Sequence, residues 1–149
     1  MTRINSGIKP SDLTNKHLFA EYREIIRIPN AVLKNLNKNK NRNLPEEFKL
    51  GTNHVLYFYN KIQYLHNRFL SIKNELKKRN YNNLSINDES FLKLKYEANM
   101  LYNDININEQ NKHAKIVVHR IIDRLPKKII MNNIELTKEQ YIKNVSKYF

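Results

Sequence analysis

The sequence predicts an all-α, single-domain protein, and three observations carry that expectation. Only 2 Gly and 4 Pro interrupt 149 residues, apolar residues recur at steps of three and four over long stretches, and no stretch shows the strict alternation of a half-buried strand. A hydrophobic content of 40% with 10% aromatics suffices for one modest core, so residues 1–149 read as one domain.

A first helix is expected from residue 11 or 14 to residue 28, with Leu18, Tyr22 and Ile25 forming an apolar stripe that Phe19 and Ile26 widen. Pro29 is expected to end or kink it. Residues 35–43 alternate Asn with Lys or Arg around Leu36, which predicts a solvated basic loop. The clearest element spans 52–79, where Val55, Phe58, Ile62, Leu65, Phe69, Ile72 and Leu76 build one face of a long helix. Thr52 suits its N-cap, and Lys77, Lys78 and Arg79 sit where the helix dipole favours cations. Residues 86–102 are more weakly helical, with Phe91, Leu94, Ala98 and Leu101 on one side. A further helix starts at Asn108 or Glu109 and buries Val117, Ile121 and Leu125 before Pro126 stops it. Thr137 and Gln140 form a capping box for a last short helix docked by Tyr141, Val145 and Tyr148.

With 27 Lys plus Arg against 14 Asp plus Glu, the net charge of +13 points to a polyanionic partner, nucleic acid first. No 18-residue apolar run exists to span a bilayer and no signal-peptide stretch opens the chain, so a soluble intracellular protein is expected, with no membrane partner. The absence of Cys excludes disulfides, thiolate nucleophiles and Cys-ligated zinc.

One constellation on the first helix is suited to chemistry. His17, Glu21 and Glu24 lie at i, i+4 and i+7, so they project together, flanked by Lys16, Arg23 and Arg27. Exposed, they are a solvated face laced with ion pairs such as Glu24 with Arg27. Buried, two carboxylates and an imidazole among cations are costly and imply a purpose. Three ligands with no further pattern, beside arginines that repel a cation, predict no metal site.

Three blocks in order then narrow the choice: residues 1–5 (MTRIN), residues 17–24 (HLFAEYRE) followed by Arg27, and residues 50–55 (LGTNHV) leading into Phe58, Tyr59 and Lys61. In these the chain resembles the pyrimidine dimer DNA glycosylases, the phage-type endonuclease V family with combined glycosylase and abasic-site lyase activity. The resemblance is strong from residue 1 to about 75 and faint thereafter. It implies a compact bundle of three main helices with the N-terminal segment threaded between them. It also implies that Met1 is removed and that the α-amine of Thr2 is the nucleophile, a group that ordinarily titrates at about 7.7 to 8. That amine attacks the sugar C1′, expels the base and leaves an imine, and β-elimination breaks the strand. Glu24 matches the carboxylate at that sugar, and Arg3, Arg23 and Arg27 match DNA-contacting arginines. His17 matches an active-site histidine at the DNA, Glu21 is expected to orient the arginines, and Tyr22 is expected mainly to pack. His54 matches too, with a capping or packing role standing beside substrate contact. No cofactor is implied, and the expected partner is damaged double-stranded DNA, kinked with a base flipped out, met by a monomer of host or viral origin.

The family's aromatic-rich C-terminal segment has no counterpart here. The chain has no Trp, and Lys127, Lys128, Ile129 and Ile130 occupy that region. Arg120 and Arg124 suit either a phosphate-binding edge or ordinary surface charge. Three functions therefore stay open on sequence: a dimer-specific glycosylase and lyase, a lyase for abasic sites or other lesions, and a basic DNA-binding protein without enzymatic activity.

Overall fold

Thr14 starts the first α-helix by accepting the His17 backbone N–H on its hydroxyl, so α1 covers Asn15–Glu24. The computed structural model of the chain describes residues 2–51 and 53–149; Met1 and the expected N-cap Thr52 lie outside the described residues. A single 3-10 turn, Pro10–Asp12, precedes α1. Helix α2, Arg27–Lys34, follows after a two-residue break, so the expected helix is interrupted just ahead of Pro29, which sits in the first turn of α2 rather than at the end of α1. At that position the N–H it lacks would have no intrahelical acceptor, so proline costs nothing there. The basic stretch is also not wholly a loop, because α3 covers Leu36–Lys40. Asn39 is buried and donates its side-chain amide to the Val32 carbonyl at 3.1 Å, which ties α3 to the end of α2, while Lys38 and Arg42 remain exposed.

The long helix expected over 52–79 is two elements. A 3-10 segment, His54–Asn60, gives way at Lys61 (φ −122°, ψ 38°) to α4, Ile62–Lys78. The apolar repeat is unchanged by the break, since spacing of three to four residues suits both helix types. Phe58, Ile62, Leu65, Phe69, Ile72 and Leu76 are all fully buried. Helix α5, Glu89–Glu97, buries Phe91 and Leu94, and α6, Ile107–Asp123, is capped by the Asn106 side chain, which accepts the Glu109 N–H. Helix α7, Lys138–Val145, begins with both bonds of the Thr137 and Gln140 capping box.

The expectation of no strand is corrected as well. Strands β1, Ile129–Met131, and β2, Ile134–Leu136, pair antiparallel with Ile129 opposite Leu136 and Met131 opposite Ile134. Three residues are too few for alternation to register. The legible signal is the Asn132 and Asn133 pair between two short β-prone runs: Asn132 takes φ 57°, the left-handed conformation asparagine tolerates in two-residue hairpins. Asn15 clamps this hairpin to the start of α1 by accepting the Asn132 N–H at 2.9 Å and donating to its carbonyl at 2.8 Å.

The architecture is mostly helical, with seven α-helices and one two-stranded hairpin among the described residues. Helix α4 packs against α1 on one side and α5 on the other, with Tyr22 stacked on Phe69 at 5.8 Å. No helix among the described residues is long and apolar enough to cross a membrane.

Candidate active site at the threaded N-terminal segment

Residues 2–8 have no strand partner, so side chains from four elements satisfy their backbone. The Arg3 N–H donates to Glu24 Oε1 of α1 at 3.0 Å, and the Ile4 N–H donates to His54 Nε2 at 3.2 Å. Arg120 of α6 donates to the Ile4 carbonyl at 3.1 Å and to the Asn5 side-chain oxygen at 2.9 Å. The Ser6 hydroxyl lies 2.8 Å from His113 Nδ1 and 3.0 Å from the Tyr64 hydroxyl, which also accepts the Gly7 N–H. Gly7 has φ 83° and passes so close to α6 that a Cβ would lie 2.8 Å from the Ala114 nitrogen and closer still to the Gln110 carbonyl. Arg68 of α4 ends the run by donating to the Ile8 carbonyl at 2.8 Å. Ile4 and Ile8 are buried beneath, so the segment is pinned by packing on one side and by hydrogen bonds on the other.

Beneath this segment lies a buried ion pair. Glu21 is 1% exposed; Arg68 binds its carboxylate through Nε and a terminal nitrogen, and the Asn5 amide donates to it at 2.9 Å. Burial works against the Arg68 charge, and the Glu21 carboxylate overcomes it, holding the guanidinium above its ordinary pKa. Glu21 thus orients Arg68 and Asn5, partners that the sequence expectation did not name.

Beside Glu21, a cleft of about 40 Å³ is lined by Arg3, Asn5, His17, Glu21, Glu24, Arg120 and Arg124. A cavity of about 330 Å³ shares Arg3, Arg120 and Arg124 with it and adds Thr2, His54 and His119. His17 Nε2 lies 3.1 Å from the Arg124 carbonyl, an acceptor only, so Nε2 carries the proton and the buried Nδ1 keeps its lone pair. Burial, and then the charges of Arg120, Lys16 and Arg3, lower the His17 pKa against the pull of that carbonyl, so the ring is neutral at pH 7. Burial also lowers Arg120 to about 10, which leaves it cationic at neutral pH. The cleft therefore combines the Glu24 carboxylate at a backbone N–H, the Arg68-paired Glu21 carboxylate, a neutral imidazole and three guanidiniums. Such a site suits an anionic ligand with a centre where positive charge develops. Among the described residues no group of three or more His, Asp or Glu is placed to hold a metal.

Thr2, Arg3, His17 and Glu24, far apart or unplaced in the sequence, come together at these two cavities. Arg23 and Arg27 are exposed and line neither; Arg23 lies over the Phe19 ring at 5.0 Å, and Arg27 opens α2. Tyr22 packs as expected, its hydroxyl accepting the Ile86 N–H at 2.9 Å. Sequence reasoning missed Arg68, although a charged residue between Leu65 and Ile72 on an apolar face is a readable signal. It also leaves Arg120 undecided between edge and surface, because its partners Ile4 and Asn5 are more than a hundred residues away. A family model, described as pyrimidine dimer DNA glycosylase, matches residues 1–89, a span that holds Thr2, His17, Glu24 and the Glu21–Arg68 pair.

Proposed function

The chain belongs to the pyrimidine dimer DNA glycosylase family, and on that premise we propose that it excises cyclobutane pyrimidine dimers from duplex DNA and cuts the resulting abasic site, with the α-amine of Thr2 as nucleophile once Met1 is removed. The amine attacks C1′ of the damaged nucleotide, the glycosidic bond breaks with its electron pair leaving on the base, and an imine forms between Thr2 and the opened sugar. Loss of a C2′ proton then expels the 3′ phosphate by β-elimination. Glu24 stabilises cationic character at the sugar as the base departs and assists the proton transfers. Arg3, Arg120 and Arg124 receive the phosphates at the lesion, His17 lines the pocket as a neutral imidazole, and exposed Arg23 and Arg27 meet the flanking backbone.

The observation that supports this reading best is the 3.0 Å bond from the Arg3 N–H to Glu24. Only the Thr2 Cα and carbonyl carbon separate the two nitrogens, so covalent geometry keeps the Thr2 nitrogen within about 7 Å of that carboxylate oxygen. Amine and carboxylate therefore reach one sugar. A second reading, a lyase for abasic sites without dimer preference, draws support from the aliphatic hairpin β1–β2 in a chain without Trp.

The test is borohydride reduction of Met1-processed protein with ultraviolet-irradiated, abasic and undamaged duplexes. Adducts on the first two support the proposal, an adduct on abasic DNA alone supports the second reading, and no adduct on either leaves a DNA-binding protein. Glu24→Gln is expected to lower cleavage by about 100-fold or more.

A further inference from the structure

We propose that His54 is a positioning residue for the reactive amine: by accepting the Ile4 N–H, its Nε2 holds the N-terminal segment in the register that sets Thr2 beside Glu24. The inference rests on the Thr2 reading above and names a residue that does not itself touch the reacting atoms.

The backbone groups of Arg3 and Ile4 are held by three side chains, and two of these belong to the cleft. Glu24 takes the Arg3 N–H, and Arg120 holds the Ile4 carbonyl. Both are also charged groups that face substrate, so an incoming phosphate or sugar competes for them. His54 is the third, and it is different in kind. It is 5% exposed, and its Nε2 lone pair is already occupied by the Ile4 N–H, two residues from Thr2. Its ring packs in edge contact with Phe48 at 5.2 Å and Phe58 at 5.4 Å, and its backbone N–H donates to the Gly51 carbonyl at 3.1 Å. An uncharged anchor whose acceptor is already engaged is thus present one residue beyond the Glu24 contact.

The contact requires an acceptor, so the imidazole must stay neutral; a protonated ring would present a donor to a donor. The groups around it favour that state. Burial acts first and Arg120 of α6 second, with His113 of α6 adding to them, while the Lys49 backbone and Glu21 of α1 oppose; the balance is about 4. Arg3, Arg124, Asp123 and His119 share the adjoining cavity. At neutral pH the lone pair is therefore available.

The experiment compares His54→Gln, whose side-chain oxygen can reach the Nε2 position, with His54→Leu, which accepts nothing. In processed protein with saturating abasic duplex, the single-turnover rate of borohydride-trapped adduct is expected to fall about 10- to 100-fold for His54→Leu, with DNA affinity unchanged and recovery in His54→Gln. Exchange of the Ile4 amide with solvent should speed up in His54→Leu alone while amides of α4 keep their protection. If leucine unfolds the protein, His54→Asn, whose amide stops short of Ile4, takes its place. Wild-type trapping rates in a folded non-accepting variant would overturn the proposal, as would a folded glutamine variant that binds DNA but does not recover. Failure of the wild-type protein to trap at all would instead overturn the Thr2 reading, and Ile4 exchange would still report on His54.

Discussion

Lowering the pH from 7.5 to 5 is expected to cost the folded protein several kcal/mol through two imidazoles alone. His54 and His113 are 5% and 1% exposed, and burial first of all lowers each to about 4 from an ordinary 6.5. Between those values the unfolded chain binds a proton at each site and the folded chain does not, so stability is present above pH 6.5 and is lost as pH falls towards 4. At pH 5 that linkage amounts to about 2 kcal/mol for each histidine, about 4 kcal/mol for the pair, a large share of the ~5–15 kcal/mol of an ordinary domain. His17, also lowered by burial, adds in the same direction. The assay is urea unfolding at the two pH values and fixed ionic strength, on wild type and His54→Gln. Wild type should lose about 4 kcal/mol and the variant about 2 kcal/mol less than that. An identical pH dependence in both proteins, or a change in wild type under about 0.5 kcal/mol, would refute the claim that these rings are buried neutral as hydrogen-bonding partners.

Two further substitutions test how the segment is held. Arg68→Leu leaves Glu21 buried without its cation and should destabilise by about 3–5 kcal/mol in urea unfolding, with much of the loss recovered when Glu21→Leu is added. Gly7→Ala demands a side chain at positive φ against the backbone of α6, so it should cost about 1–3 kcal/mol and lower abasic-site cleavage, while the DNA binding proposed for exposed Arg23 and Arg27 should persist.

The sequence carries the helical class and most of the core because apolar spacing is a local property. The faces of α4, α5 and α6 follow directly from it, as does the capping box of α7. What it lacks is where a regular repeat is broken: Lys61 divides the expected long helix through backbone angles that leave the apolar spacing untouched. Pro29 is the converse case, a visible punctuation mark with two meanings, since proline marks a helix start as readily as an end. At the site, the grouping of His17, Glu21 and Glu24 is readable as one helix face, but spacing alone leaves burial open. The decision rests on Arg68 and Arg120, which come from distant helices. The roles of Thr2 and Glu24 come from resemblance rather than from spacing, and Arg3 joins them through its backbone N–H, a contact no side-chain pattern announces.

A backbone amine is the reactive group in the proposed chemistry, and its identity is open to direct mapping. Borohydride-reduced adduct on irradiated duplex is digested, and the site of attachment is located by mass. The reduced sugar is expected on the peptide beginning at Thr2, at its α-nitrogen. Attachment to a lysine, or an undiminished adduct after the α-amine has been acetylated, would contradict that assignment.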